Sequence, residues 1–275
     1  MSLQRSQQNG RNALFVHVLG CPQRGQGKVF AAGVVMVKIF LDKHRQIVTQ
    51  LLDLCPVSCF CLFVMSVPAI RPFQPQYLTV PRDFQPIANM AICLEIGAGK
   101  GKHACLFAHT HPQYPLLAIE RTAEKFHAMQ KTHQELGCKN LQPIHADAIP
   151  WVVHALYPAQ IEQVFILYPN PEPHNPSQRW LNMPFFEYLL SRIKAGGTIT
   201  LASNIAEYII EAEQQLTTVW HLPYELQRIA EDSARTHFEV KYLQRGELCQ
   251  QLIITKPQNY QTRFDNVLPR LGQHA

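Results

Sequence analysis

The chain has 275 residues, of which 47% are hydrophobic and 16% are charged. This composition is typical of a globular protein and excludes a wholly disordered one. At this length the chain can bury one large core, or form one domain with an appendage. A net charge of +5 and an isoelectric point near 8.8 permit a nucleic-acid partner without requiring one.

The eight cysteines do not form a pattern that is typical of a metal site. Cys55, Cys59 and Cys61 cluster in an apolar run, without the His and Cys partners that a zinc site needs. Cys93 and Cys105 fall in a predicted strand and a predicted helix, where we expect them to be small core residues. The sequence therefore predicts reduced thiols, no metal and a cytoplasmic location.

Residues 1–70 differ from the rest and are interpreted as an N-terminal extension of uncertain structure. Three alternatives remain open: a poorly structured or mis-started extension, with true initiation at Met36 or Met65, a packed accessory segment, or a membrane segment. Prolines and Asp53 interrupt the apolar run 47–70, which makes a membrane span the least favoured interpretation. The proline-rich stretch 71–86 predicts an extended connector.

Residues 87–257 alternate between strand-like and helix-like segments, and 258–275 form a C-terminal tail. The predicted strands are 91–95, 116–120, 141–146, 161–168 and 198–203, and the predicted helices are 101–109, 122–136, 183–193 and 205–217. A turn is predicted at 194–197, and a closing hairpin is predicted from 238–243 and 247–255. Repeated βα units predict an α/β, Rossmann-like fold: a mostly parallel sheet with helices on both faces and a closing antiparallel hairpin. Ligands bind such sheets beyond the carboxyl ends of the strands.

The first of these strands ends in a glycine-rich turn with the pattern E-x-G-x-G-x-G. Gly97, Gly99 and Gly101 suit a turn with positive φ and a ligand lying against the backbone. The dinucleotide fingerprint needs its third glycine where Lys102 stands. Glu95 suits a ligand that presents a cation, such as an amino group. The pattern is typical of S-adenosylmethionine (SAM) methyltransferases, and the alternative is an incidental turn of a generic α/β protein.

Two further acids end the next two predicted strands. Glu120, about 20 residues after the glycines, is placed to accept hydrogen bonds from ribose hydroxyls. Asp147 is placed to meet an adenine amino group. Three acids at three successive strand ends favour a nucleoside-containing ligand. Because Glu120 would serve NAD equally well, a dinucleotide oxidoreductase also remains open.

The fourth strand runs into Tyr168-Pro-Asn-Pro-Glu-Pro173. Asn170 between two prolines is held rigidly, because proline fixes its own φ and restricts the residue before it. We expect this loop to face a methyl donor with the substrate between them. The alternative is a surface loop rich in turn-forming residues.

Taken together, these motifs resemble the tRNA (guanine-N7)-methyltransferase family over residues 91–255. The matching stretches are Leu94-Glu-Ile-Gly-Ala-Gly-Lys-Gly101, Ala118-Ile-Glu120, Asp147-Ala148, Tyr168-Pro-Asn-Pro171, Arg179, Leu181-Asn-Met-Pro184, Ala195-Gly-Gly197, Ser203-Asn204, Tyr208, Thr236-His-Phe-Glu239 and Gly246.

The sequence departs from the family in two places. The family's fourth loop reads roughly Phe-Pro-Asp-Pro-Trp followed by a dense basic run. Here Asn170 replaces the acid, Glu172 replaces the tryptophan, and the basic run shrinks to His174 and Arg179. The family's Thr-Asp after the fifth strand is here Ser203-Asn204. In the family those acids and a Thr-x-x-Glu motif hold the guanine edge.

The resemblance implies a SAM-dependent methyltransferase that acts on guanine N7 of tRNA, as a monomer or homodimer. Donor contacts would come from Glu95, Gly97, Gly99, Gly101, Glu120 and Asp147. By the same resemblance Asn170 and Glu239 would be catalytic, and Asn204, Tyr208, Thr236 and Arg179 would bind the substrate. The acceptor pocket requires Glu239 to lie near Asn170. Because the basic loop is reduced, a different acceptor or a non-catalytic SAM-binding relative remain alternatives.

Overall fold

The computed structural model describes residues 71–271 and two short segments, 13–17 and 36–40. The chain divides into two units, 1–66 and 67–275. In the first unit, β1 (Ala13–His17) pairs with β2 (Met36–Phe40) in an antiparallel ladder. The rest of the predicted N-terminal extension lies outside the described residues, and so does the cluster of Cys55, Cys59 and Cys61. Among the described helices, none is both long enough and apolar enough to cross a membrane.

The second unit contains seven strands and six α-helices within residues 71–271. The strands are β3 (Ile92–Ile96), β4 (Leu116–Glu120), β5 (Leu141–His145), β6 (Ile161–Leu167), β7 (Ile193–Ser203), β8 (Tyr224–Arg228) and β9 (Gln250–Thr255). The helices are α1 (Lys102–Thr110), α2 (Ala123–Leu136), α3 (Ala148–Ala155), α4 (Phe185–Arg192), α5 (Ala206–Gln215) and α6 (His237–Gln244), and a π-helical turn, Leu216–Trp220, extends α5. Helix α3 is absent from the sequence-based expectation.

The seven strands form one sheet in the order β5-β4-β3-β6-β7-β9-β8. Neighbours are parallel from β5 through β7, and β9 runs antiparallel to both β7 and β8. The chain moves outward from β3 to β5 and then returns to β6 on the other side of β3. This reversal creates a crevice at the carboxyl ends of β3 and β6, where open α/β sheets bind ligands. The predicted mostly parallel, Rossmann-like sheet is confirmed.

Two apolar clusters cover the two faces of the sheet. Alternate residues of a strand point to opposite faces, so Leu94 packs in the cluster with Phe185 whereas Cys93 packs in the cluster with Phe107. Every residue of β3 and β4 is buried, as expected for parallel strands that helices cover on both sides. Cys93 and Cys105 are therefore core residues, as predicted. Burial raises the pKa of Cys93 to about 12 and that of Cys105 to about 11, so both thiols stay protonated.

The predicted closing hairpin is wrong in its first arm. Residues 238–243 lie within helix α6, and the strand that pairs with β9 is β8. Phe238, Val240 and Tyr242 alternate with polar residues, a period that is typical of a strand. An N-cap overrides this pattern: the Thr236 hydroxyl accepts the Glu239 backbone N–H at 2.9 Å and starts a helix.

The turn predicted at 194–197 also takes a different form. These residues lie inside β7 as a bulge, because the register against β6 passes from Ile193 directly to Thr198. Gly196 has φ +78°, a conformation that glycine adopts without strain. The pair of glycines thus marks an irregularity within the strand instead of its beginning.

The segments that flank the sheet-forming region pack on helix α4. Phe73, from the proline-rich stretch, contacts the rings of Phe185, Tyr188 and Phe264 at centroid distances of 5.4–6.1 Å. The fully buried Arg192 side chain donates to the Phe264 carbonyl at 2.6 Å. Both segments therefore belong to the core of the second unit, in the cluster that contains Phe185.

Candidate functional site at the carboxyl ends of the strands

The glycine turn (residues 97–101) connects β3 to helix α1. All three of its glycines have positive φ, at +75° for Gly97, +58° for Gly99 and +79° for Gly101. A Cβ on Gly97 or Gly99 would meet nothing within 4 Å, whereas one on Gly101 would lie 2.4 Å from Met129 Cγ. The first two glycines therefore leave open space over the turn, and the third allows α1 to approach α2.

Glu120 lies directly beside this turn. Its carboxylate accepts the backbone N–H of Gly99 at 2.8 Å and that of Thr122 at 2.7 Å. The side chain is 6% exposed. A carboxylate has about four acceptor positions, so two remain for hydroxyl donors of a ligand. The structure thus brings together the predicted glycines and the predicted acid of the second strand.

Glu95, the acid before the glycines, is paired with a residue that sequence reasoning missed. His103 Nδ1 lies 2.9 Å from Glu95 Oε2, and both side chains are buried. The His103 ring packs edge-on against Phe165 with centroids 4.8 Å apart. The spacing could have indicated this pair, because the first turn of α1 folds back toward the end of β3. His103 occupies one oxygen of Glu95 and leaves Oε1 for another partner.

Asp147 stands at the edge of this group as the N-cap of helix α3. Its side chain accepts the Ile149 backbone N–H at 2.9 Å and is about half exposed. Arg121 Nη1 lies 4.0 Å away. The carboxylate is therefore accessible from solvent, next to the ends of β4 and β5.

The polar loop (residues 168–173) follows strand β6. Tyr168 and Glu172 both adopt left-handed backbone conformations, with φ of +52° and +45°. Such conformations are uncommon for residues other than glycine and cluster at functional sites. Between them Asn170 is exposed, and its Nδ2 donates to Glu172 Oε1 at 2.7 Å.

Arg179 binds the backbone of the polar loop. Its Nε donates to the Pro171 carbonyl at 2.7 Å, its guanidinium pairs with Glu211, and its Cζ lies 5.3 Å from the centroid of the Tyr208 ring. Tyr208 is 2% exposed, and its hydroxyl accepts the Trp180 backbone N–H at 3.3 Å. Burial raises the pKa of Tyr208 to about 12. These two predicted substrate-binding residues lie against each other, and Arg179 joins them to the loop.

Asn204 follows strand β7, next to the polar loop in the sheet. Its Nδ2 donates to Glu247 Oε2 at 2.6 Å. Glu247 also lines a cavity of about 380 Å³ whose other walls include Arg228, Glu231, Leu243, Leu248 and Cys249. Gln250, which pairs with Ser203 at the end of β7, follows the cavity residue Cys249. The cavity therefore lies at the carboxyl end of β7, near Asn204. Its volume is within the range of sites for small ligands.

Glu239 is completely buried, and both of its carboxylate oxygens are engaged. Oε2 accepts the Tyr168 hydroxyl at 2.9 Å, and Oε1 accepts the Ser233 hydroxyl at 2.5 Å. Arg235 donates to both oxygens, from Nη2 at 2.8 Å and from Nε at 3.1 Å. Burial alone would raise the pKa of Glu239, but the hydrogen bonds from Arg235 and Ser233 outweigh it and hold the pKa below its usual value.

The predicted proximity of Glu239 to Asn170 takes an indirect form. Within residues 71–271 no hydrogen bond joins the two side chains; Glu239 reaches the polar loop through Tyr168, two residues before Asn170. Thr236 serves as the N-cap of α6, where its side chain accepts the Glu239 backbone N–H. Among those same residues, no group of three or more His, Cys, Asp or Glu side chains is arranged to hold a metal ion.

The sheet order and the glycine turn define a Rossmann-like α/β protein with a crevice at its switch point. A family model described as "Putative methyltransferase" matches residues 89–251, and the chain belongs to this methyltransferase family.

Relatives of the chain carry a more specific name. A tRNA (guanine-N(7)-)-methyltransferase of Nitrosospira multiformis is 33% identical over 131 residues, which are 47% of this chain and 57% of that protein. The corresponding protein of Thiobacillus denitrificans is 30% identical over 155 residues, 54% of this chain and 67% of its own length. The chain thus spans 57–67% of these two relatives. Among solved structures, a 16S rRNA (adenine(1408)-N(1))-methyltransferase from Catenulisporales acidiphilia has a TM-score of 0.46 at 14% identity, covering 62% of this chain and 88% of that one.

Proposed function

We propose that this chain is a SAM-dependent methyltransferase that methylates N7 of a guanine in tRNA. The observation that carries the proposal is the glycine turn beside Glu120. The two open Cβ positions at Gly97 and Gly99 make a cradle for a ligand, and Glu120 stands within hydrogen-bond distance of the Gly99 backbone. Relatives named as tRNA (guanine-N(7)-)-methyltransferases support the acceptor.

The residues of the crevice fit SAM by their chemistry. Glu95 Oε1 suits the amino group of the ligand, the lone pairs that Glu120 has left suit ribose hydroxyls, and the exposed Asp147 suits an adenine amino group. When bound, SAM supplies a methyl group on a positively charged sulfur. In this arrangement the role of the chain is to bind and orient the two substrates and to exclude water.

The transfer itself needs no general base, because guanine N7 carries a free lone pair. SAM held by the glycine turn with Glu95, Glu120 and Asp147 would supply the methyl group to this lone pair, and its sulfur would keep the electrons of the carbon–sulfur bond. No proton moves. Catalysis is therefore mainly alignment of N7, carbon and sulfur, which favours positioning roles for Asn170, Asn204 and the buried Glu239.

The polar loop also favours a second candidate, a methyltransferase with a different acceptor. Arg179 is engaged by Pro171 and Glu211 instead of being free for phosphate, and amides stand at positions 170 and 204. A small-molecule or protein acceptor would need no phosphate contacts, so its binding would depend little on salt, in contrast to tRNA.

The test is transfer of tritiated methyl groups from SAM into bulk tRNA, with N7-methylguanosine scored after nuclease digestion. We expect incorporation by the wild-type chain and none by Gly99→Asp, whose side chain fills the cradle. Calorimetry with SAM accompanies the assay. Binding without incorporation would overturn the tRNA acceptor and favour the second candidate, whereas absence of SAM binding would overturn the whole proposal.

A further inference from the structure

Two asparagines follow the neighbouring strands β6 and β7, and each is bonded to a glutamate. Asn170 Nδ2 donates to Glu172 Oε1 at 2.7 Å, and Asn204 Nδ2 donates to Glu247 Oε2 at 2.6 Å. The partners come from different places in the chain, two and 43 residues away. The same amide–carboxylate arrangement therefore occurs twice at the edge of the sheet where an acceptor would bind.

A glutamate partner determines which way an amide is turned. An ionised carboxylate only accepts hydrogen bonds, so the amide group that faces it must be the NH₂. The carbonyl oxygen then points away from the glutamate. Within residues 71–271, neither Asn170 Oδ1 nor Asn204 Oδ1 accepts a hydrogen bond from the protein. Each pair thus presents one fixed, available acceptor.

We propose that Glu172 and Glu247 are specificity-determining positioning residues, which turn the carbonyl oxygens of Asn170 and Asn204 toward the methyl acceptor. The pocket then recognises hydrogen-bond donors on the acceptor base. This inference rests on the proposed function, because guanine presents such donors at N1–H and at its 2-amino group. An oriented amide carbonyl accepts these hydrogen bonds as a carboxylate would.

The two pairs differ in burial, and we expect substitutions in the more buried pair to have the larger effect on acceptor binding. Asn204 and Glu247 are both partly buried, and Glu247 also borders the cavity of about 380 Å³. Asn170 is exposed, so water competes for its hydrogen bond to Glu172. The pair of Asn204 and Glu247 is therefore the more informative one to change.

The test uses Asn204→Asp, Glu247→Gln and the double variant, with the exposed Asn266→Asp as a control for added charge. Asn204→Asp places two carboxylates against each other, and we expect it to raise KM for tRNA about ten-fold at unchanged SAM affinity. In the double variant the amide introduced by Glu247→Gln donates to the carboxylate introduced by Asn204→Asp. The other oxygen of that carboxylate accepts from the base, so we expect KM to return to within about three-fold of wild type. We expect Glu247→Gln to restore the KM of Asn204→Asp only if residues 204 and 247 form a hydrogen-bonded pair that orients the acceptor oxygen.

A stability measurement makes the test independent of the acceptor. At pH 7 and without tRNA, we expect Asn204→Asp to lower the thermal unfolding midpoint and added Glu247→Gln to restore it. The inference is overturned if the double variant is no better than Asn204→Asp in both measurements, or if Asn204→Asp behaves as Asn266→Asp does. A wild-type chain that binds SAM but does not methylate tRNA overturns the proposed acceptor instead, and the unfolding midpoints still decide whether the pair exists.

Discussion

The glycine turn and the polar loop lie at the same edge of the sheet but are built by different means. The turn consists of backbone held by buried neighbours: Gly99 donates to Glu120, and Gly101 allows α2 to pack. The polar loop is held by side-chain hydrogen bonds, an exposed one between Asn170 and Glu172 and a buried one from Tyr168 to Glu239, which lies far away in the chain. In the proposed function, the turn would provide a fixed donor site, whereas changes of a few side chains in the loop would change the acceptor.

Substitution of the third glycine should have the largest effect on the fold. In Gly101→Ala the methyl group meets Met129 at 2.4 Å in a left-handed conformation, and we expect a loss of about 3 kcal/mol in the free energy of unfolding. Gly99→Ala is the matched control, because its methyl group meets nothing and only the conformational cost of about 1 kcal/mol remains. Urea unfolding measures both. Equal losses would mean that the contact with Met129 of α2 is not what requires a glycine at position 101.

Substitution of the buried Glu239, which bonds to Tyr168 of the polar loop, should have the second largest effect. In Glu239→Gln an amide NH₂ faces the donors Ser233 and Arg235, and we expect a loss of about 2 kcal/mol at pH 7. Because the pKa of Glu239 is lowered in the folded state, its contribution is present above the usual carboxyl range and is lost as the pH falls through the lowered pKa. The difference between wild type and variant should therefore shrink in acid. The control is Glu225→Gln, which changes an exposed carboxylate on β8. If the stability difference between wild type and Glu239→Gln did not vary with pH, Glu239 would not be ionised in the folded protein.

The two regions also differ in how far the sequence could predict them. The sheet, Glu120 and the glycines follow from local patterns, because strand, turn and helix are consecutive. The alternating apolar residues of helix α6 predict a strand, and the N-cap at Thr236 outweighs them. The bonds from Tyr168 to Glu239 and from Asn204 to Glu247 join residues 71 and 43 positions apart. A single sequence contains no local signal for such contacts, because the residues that make them come together only in the folded chain.

Substitution of His103 tests whether Glu95 binds the amino group of SAM. In His103→Leu the Glu95 carboxylate loses the group that orients it, and we expect SAM to bind about ten-fold more weakly. Methylthioadenosine lacks the amino acid portion of SAM, so its affinity should stay unchanged. His109→Leu changes an exposed histidine of the same helix and should affect neither ligand. Calorimetry with both ligands measures the effect, and equal weakening of both would indicate general damage to the turn instead.

Arg179 gives the smallest effect and distinguishes support of the loop from contact with nucleic acid. In Arg179→Met the polar loop loses the hydrogen bond to Pro171, and we expect KM for tRNA to rise about five-fold with SAM affinity unchanged. The salt dependence of tRNA binding should keep its slope, because the guanidinium pairs with Glu211 and leaves no phosphate contact to lose. A slope smaller by about one would show that Arg179 binds a phosphate, as the resemblance to the family implies. Arg82→Met, in an exposed part of the proline-rich stretch, provides the baseline for the loss of one positive charge.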